Sequence, residues 1–156
     1  MVGTEAAART FFSFPAFAVV GASSNPAKYG NIIFNWYHER NLPVTPINPT
    51  AGTITLASRA EPFSALPNIS ALPSPGETAL SIVTPPAATL QVLHDAKKLG
   101  VPAVWLQPGS FNDEVLRFAQ DDPAFKAVVA GDGGRGHEGW CVLVDGDKAL
   151  KSVGKL

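Results

Sequence analysis

The residues best suited to chemistry lie in one short segment near the N terminus, FAVVGASSNPAKYG. Its small, polar and charged members are Gly21, Ala22, Ser23, Ser24, Asn25, Lys28, Tyr29 and Gly30. An apolar run leads into these turn-forming residues, and apolar residues at helical spacing follow them. Such a turn directs backbone N–H groups and the positive end of a helix dipole to one point, which attracts phosphate. The segment therefore predicts a strand, a loop and a helix that bind an anion, and Lys28 adds a positive charge.

Three further segments follow predicted strands and are rich in proline, glycine, hydroxyl and amide groups. They contain Asn48, Pro49 and Thr50, then Thr84, Pro85 and Pro86, and finally Gln107, Pro108 and Gly109. In a doubly wound sheet, ligands bind outside the carboxyl ends of the strands, where these segments would lie. Because catalytic acids and bases are missing from them, their composition favours binding over chemistry.

The elements that must position these loops alternate between strand and helix. Strands are predicted at residues 16–20, 44–47, 79–83, 103–106 and 127–130, with a sixth at 140–144. Thr84 is expected to cap the helix that follows the third strand. The pattern predicts an α/β fold, a Rossmann-like doubly wound parallel sheet of five to six strands with helices on both faces.

The two ends of the chain are expected to differ. A short N-terminal helix is predicted at residues 4–13, with Phe11 and Phe12 turned inward, and the tail from residue 146 to 156 is expected to be loose. Both belong to one domain spanning residues 1–156, a length that suits a single core.

Composition excludes several classes of protein. The net charge is −1 and the twelve Lys and Arg residues are scattered, so no nucleic-acid partner is expected. No apolar run approaches the ~20 residues of a membrane span. A single cysteine and an N terminus unlike a secretory signal predict a cytoplasmic protein.

Neither a catalytic residue nor a metal site is predicted. His137, Glu138 and Cys141 are close in sequence, but metal sites need a further group of ligands and neighbours in sequence seldom form a catalytic pair. Cys141 is expected to be a small apolar residue in the last strand. No G-x-S-x-G turn is present to expose a nucleophilic serine.

A nicotinamide dinucleotide is the first ligand to consider for such a sheet, and two residues argue against it. Ser23 stands where the G-x-G-x-x-G motif needs its second glycine, and Asn48 stands where an acid would hold the ribose hydroxyls.

Four motifs, GASSNPAKYG at 21–30, PINPT at 46–50, TPP at 84–86 and WLQPGS at 105–110, resemble those of a known family. They are similar to the coenzyme A-binding domain of small single-domain proteins, and to the N-terminal domain of succinyl-CoA ligase alpha chains and nucleoside-diphosphate-forming acyl-CoA ligases. The resemblance implies that the first loop holds the phosphates and residues 48–50 border the adenosine. It also implies that residues 84–86 and 107–109 line the remaining channel.

The leading hypothesis is therefore a protein that binds coenzyme A (CoA) or an acyl-CoA without covalent chemistry of its own. Its expected partner is a small nucleotide-type ligand, and a homodimer is possible. Two alternatives stay open: a small NAD(P)-binding oxidoreductase or redox sensor, and a detached subunit of an acyl-CoA ligase.

Overall fold

The computed structural model describes residues 3–121, 123–131 and 140–156. In chain order the strands are β1 (Ala16–Val20), β2 (Val44–Ile47), β3 (Thr53–Ile54), β4 (Phe63–Ser64), β5 (Thr78–Ile82), β6 (Ala103–Leu106) and β7 (Ala127–Val129). The α-helices are α1 (Glu5–Phe12), α2 (Tyr29–Glu39), α3 (Pro86–Leu99), α4 (Asp113–Gln120) and α5 (Val142–Ser152). Two short 3₁₀ helices, Ile69–Ala71 and Pro75–Glu77, precede β5.

Within the described ranges, five strands form one parallel sheet in the order β2-β1-β5-β6-β7. Counted along the chain this order is 2-1-3-4-5, one of the two common doubly wound arrangements. The chain order reverses between β1 and β5, and Val20 at the end of β1 lies level with Ile47 and Ile82. The predicted Rossmann-like parallel sheet is confirmed, and this reversal marks the place where such sheets bind ligands.

The sheet is buried on both faces because its strands are apolar at nearly every position. Phe17 and Val19 point to the face covered by α1, α2 and α5, whereas Ala18 and Val20 point to the face covered by α3 and α4. Helices on both faces are thus confirmed. The near-continuous apolar strands are the reason, since alternating strands would leave one face wet.

The N-terminal helix is confirmed and forms part of the core. The Thr4 side chain accepts a hydrogen bond of 3.0 Å from the Ala7 N–H and so caps α1. Phe11 and Phe12 are fully buried, and the Phe11 ring meets the Trp105 indole edge-on with a centroid separation of 5.5 Å. The helix therefore packs against the sheet rather than extending from it.

The predicted sixth strand at 140–144 and the loose tail are both wrong, because this segment forms α5. Its buried residues Val142, Gly146, Ala149 and Leu150 recur at helical spacing. The Gln107 side-chain oxygen accepts a hydrogen bond from the Val142 N–H at 3.2 Å, which satisfies a donor at the start of the helix. The Asp-Gly-Asp residues at 145–147 lie within the helix, and Gly146 is buried where a side chain would collide with the Trp36 indole.

The proline-rich region between β2 and β5 contains a second small sheet. β3 and β4 pair antiparallel, and Leu66 beyond them forms a bridge with Ile47 at the outer side of β2. Among the described strands of the main sheet, β2 pairs with β1 alone, and this edge position suits Pro46, which has no N–H to donate. The region thus covers the free side of β2.

Candidate functional site

The loop between β1 and α2 folds back against the first turn of α2. Gly21 has a φ of +96°, and the N–H groups of Gly21 and Ala22 both donate to the Ile47 carbonyl, at 3.1 and 3.2 Å. A Cβ atom on Gly30 would overlap the Gly21 carbonyl oxygen and would lie 3.3 Å from the Ser23 nitrogen. Both glycines are therefore required by the geometry, Gly21 for its left-handed backbone and Gly30 for the close approach.

Among the residues that the structure describes, no protein group caps the N terminus of α2. Lys28 occupies the N-cap position, and its side chain makes no capping hydrogen bond. The N–H groups of Tyr29 and Gly30 have no partner within the helix because of their position. No acceptor contacts them in the part of the chain that the structure describes.

The other helices differ from α2 in this respect. Thr4 caps α1, and Asn112 caps α4 by accepting from the Val115 N–H at 3.0 Å. The expected Thr84 cap of α3 is wrong, because Pro85 takes the N-cap position and Pro86 follows it. Proline has no N–H, so two donors are missing from that end. At α5 the donors are taken by Gln107 and by the Asp145 carboxylate, which accepts from the Cys141 N–H at 3.1 Å.

Two amide side chains hold the loop from the inside. Asn48 donates through Nδ2 to the Ala22 carbonyl at 2.9 Å, and Asn31 donates through Nδ2 to the Ser23 carbonyl at 2.9 Å and to the Thr55 carbonyl at 3.2 Å. Asn31 is 7% exposed. Sequence reasoning missed Asn31, although a polar residue in the otherwise apolar run YGNIIF was an available signal.

Further contacts join the loop to residues 48–55. The Ser24 hydroxyl accepts a hydrogen bond of 2.9 Å from the Thr55 N–H. The Asn48 Oδ1 atom accepts bonds from the N–H and hydroxyl of Thr50 and from the Ala51 N–H. Asn25 forms a turn of its own, with its Oδ1 accepting from the Ala27 N–H at 2.9 Å. The polar atoms of Asn48 are thus used within the protein, while Pro49 and Thr50 are exposed.

The segments at 84–86 and 107–109 follow β5 and β6 and so lie at the same edge of the sheet as the first loop. Thr84 is half-buried and its hydroxyl lies 2.8 Å from that of Thr89. Pro85 and Gly109 are exposed, and Gly109 has a φ of +88°. These segments bring mostly backbone and proline to the edge, and Pro86 and Pro108 are half-buried beside them.

The Gln107 side chain points into the protein, in contrast to the channel position expected for it. It is 2% exposed, and its Nε2 donates to the Ser81 hydroxyl at 3.3 Å. The Ser81 hydroxyl also lies 2.7 Å from the Tyr37 hydroxyl, so a buried polar chain runs from α2 through β5 to the start of α5. Burial is the main reason that the pKa of Tyr37 is raised well above its usual value.

Two open cavities lie away from these loops. One of about 480 Å³ lies between α1 and α5, and Thr4, Arg9, Trp140 and Lys148 are among the residues that line it. The other, of about 410 Å³, lies between α3 and α4 beside His94. No residue of the sequence-predicted site lines either cavity.

The described residues contain no group of three or more His, Cys, Asp and Glu side chains close enough to hold a metal ion. His137 and Glu138 lie outside the described residues. Cys141 immediately precedes α5 rather than lying in a strand, and partial burial raises the pKa of its thiol, so its reactive thiolate is disfavoured. None of the described helices is both long and apolar enough to cross a bilayer.

Several solved structures share this fold. A conserved hypothetical protein of Pyrococcus furiosus is 30% identical, with 85% of this chain and 99% of that one covered and a TM-score of 0.66. A hypothetical protein of Pyrococcus horikoshii is 22% identical, with 94% and 92% covered and a TM-score of 0.74. A protein of Thermus thermophilus is also 22% identical, with 94% and 98% covered and a TM-score of 0.71. No curated protein gave a significant match.

The family match covers the loop, the strands β1 to β7 and the three α-helices α2, α3 and α4. The model of the CoA-binding domain matches residues 15–134, which include all four segments described above. The N-terminal helix α1 and the final helix α5 lie outside the match. The chain therefore belongs to the family of CoA-binding domains.

Proposed function

We propose that this protein binds CoA or an acyl-CoA, with the phosphates of the ligand at the loop of residues 21–30. The observation that carries the proposal is the N terminus of α2. It lies beside the point where the strand order reverses and has an exposed lysine. Within the described parts of the chain its first N–H donors are free and no side chain caps it. Because the chain belongs to the family of CoA-binding domains, the anion that we expect at this helix end is a phosphate of CoA.

The electrostatics of this helix end suit a phosphate group. Partial positive charge at a helix N terminus stabilises an anion by about 0.3–1 kcal/mol when exposed, and by more when partly buried. Lys28 adds a full charge at the N-cap position, where its long side chain can reach an anion on the same axis. The N-termini of the other described helices are already satisfied by side chains or begin with proline, so they offer an anion fewer donors.

The remaining segments would hold the rest of the ligand. Pro49 and Thr50 border the adenosine, and residues 84–86 with Pro108 and Gly109 line the path of the pantetheine arm. The exposed Tyr29 ring, at 66% exposure, stands at the start of α2 as an apolar surface beside the phosphates. With no carboxylate, histidine or cysteine among these side chains, the site suits binding without covalent chemistry.

Calorimetric titration of CoA into the wild type and Lys28→Ala tests this proposal. We expect the variant to bind about tenfold more weakly, equivalent to about 1.4 kcal/mol, because a hydrogen bond to a charged group is lost. Its melting temperature should be unchanged, since the Lys28 side chain makes no capping bond.

Lys98→Ala is the matched control. Lys98 is exposed in the last turn of α3, at the opposite edge of the sheet, so its removal should leave CoA affinity intact. Equal losses in both variants would show that only overall charge matters. Binding of NADH or NADPH, with no heat from millimolar CoA, would overturn the proposal in favour of a nicotinamide dinucleotide.

A further inference from the structure

We propose that Asn31 and Asn48 are positioning residues that orient the backbone of the phosphate loop toward its ligand. The proposal rests on the proposed function for the identity of the ligand, but it assigns to these two amides a task different from ligand contact. Each one holds a successive peptide carbonyl of the loop, Asn48 that of Ala22 and Asn31 that of Ser23.

The orientation follows from peptide geometry. In a trans peptide the carbonyl of one residue and the N–H of the next point in opposite directions. Since Asn48 draws the Ala22 carbonyl to one side, the Ser23 N–H points to the other. Asn31 fixes the Ser24 N–H in the same way through the Ser23 carbonyl.

These N–H groups adjoin the uncapped start of α2. The Ser23 nitrogen would be 3.3 Å from a Cβ on Gly30, so it lies against the first helical turn. Within the described residues, neither the Ser23 nor the Ser24 N–H donates to a protein acceptor. Successive N–H groups turned to one side form the concave surface on which proteins bind anions.

The two amides also tie this surface to the neighbouring segment before any ligand is present. Asn31 joins the loop to the Thr55 carbonyl, and the Asn48 Oδ1 atom holds the N–H groups of Thr50 and Ala51. A binding surface that is fixed in advance saves the ordering cost of association. Loss of either amide should therefore weaken binding even though neither touches the ligand.

The test replaces the amides by carboxyl groups, which have nearly the same shape. In Asn48→Asp the carboxylate keeps an oxygen for Thr50 and Ala51 but has no donor for the Ala22 carbonyl. We expect CoA to bind about tenfold more weakly than to the wild type at pH 8. The loss should be similar at pH 5, because the Thr50 and Ala51 N–H groups that bond to this oxygen favour the ionised carboxylate, which cannot donate.

Asn31→Asp should cause a larger loss at pH 8, since it removes two hydrogen bonds. This loss should shrink at pH 5, because a buried carboxyl that faces two carbonyl groups favours its protonated, donating form. Asn35→Asp, one turn further along α2, adds the same charge away from the loop and is the matched control. Its CoA dissociation constant should differ from the wild-type value by less than about twofold at every pH. If Asn31→Asp fails to fold, Asn48→Asp by itself tests the proposal, because Asn48 is only half-buried.

A readout without ligand separates this proposal from the proposed function. In ¹H–¹⁵N spectra recorded without ligand, the Ser23 amide signal of Asn48→Asp should be displaced from its wild-type position, whereas that of Asn35→Asp should not. A Ser23 signal unchanged by the Asn48 substitution, or a CoA affinity of Asn48→Asp within twofold of the wild type at pH 8, would overturn the positioning role. Failure of the wild type to bind CoA would instead refute the proposed function.

Discussion

Replacement of Gly30 by alanine tests the contact on which the whole site depends. The new methyl group would overlap the Gly21 carbonyl oxygen and would lie 3.1 Å from its carbon. Both neighbours are backbone, so relief requires the loop to move away from α2. Overpacking of this kind costs about 1–3 kcal/mol, and the better helix propensity of alanine offsets a part of it.

A net loss of about 2 kcal/mol corresponds to a melting temperature about 4–8 °C lower for a protein of this size. Movement of the loop should also weaken CoA binding at least tenfold. Differential scanning calorimetry and CoA titration measure the two effects. The control is Gly52→Ala, because a Cβ there has no atom within 4 Å and the backbone is ordinary.

The control should melt at or slightly above the wild-type temperature, since alanine restricts the unfolded chain. If Gly30→Ala also melts at the wild-type temperature and binds CoA normally, then the close approach of the loop to α2 is refuted. If Gly30→Ala is destabilised but binds CoA with unchanged affinity, then the loop is not part of the ligand site.

Three further predictions concern Gln107, Tyr37 and Asp147, which support the fold. Gln107→Leu leaves the buried Val142 N–H without its acceptor and should cost about 1–3 kcal/mol in urea unfolding; a neutral result would contradict the buried chain. The pKa of Tyr37 is raised by burial, so the neutral phenol favours folding and stability should fall as pH rises above about 10, a loss that Tyr37→Phe should lack. The hydrogen bond from Arg40 lowers the pKa of the half-exposed Asp147, so Asp147→Asn should cost under about 1 kcal/mol at pH 7, and the difference from the wild type should vanish in acid.

The strands and the loop after β1 could be predicted from the sequence because their signals are local. Unbroken apolar runs such as AFAVV specify strands buried on both faces, and turn residues at 21–26 specify where the chain must bend. The last helix could not be predicted as readily. Its start depends on the Gln107 side chain, which is 35 residues away in sequence.

The candidate site also has one part that the local sequence predicts and another that depends on tertiary contacts. The sequence by itself determined which backbone could form a phosphate loop, since Gly21, Gly30 and Lys28 act through conformation and charge at their own positions. The tertiary structure alone decided what the amides do. Asn31 and Asn48 reach carbonyl groups 24 and 26 residues distant along the chain, and Gln107 turns inward rather than toward the edge. A side chain with both donor and acceptor atoms suits many partners, and only packing selects which of them is near.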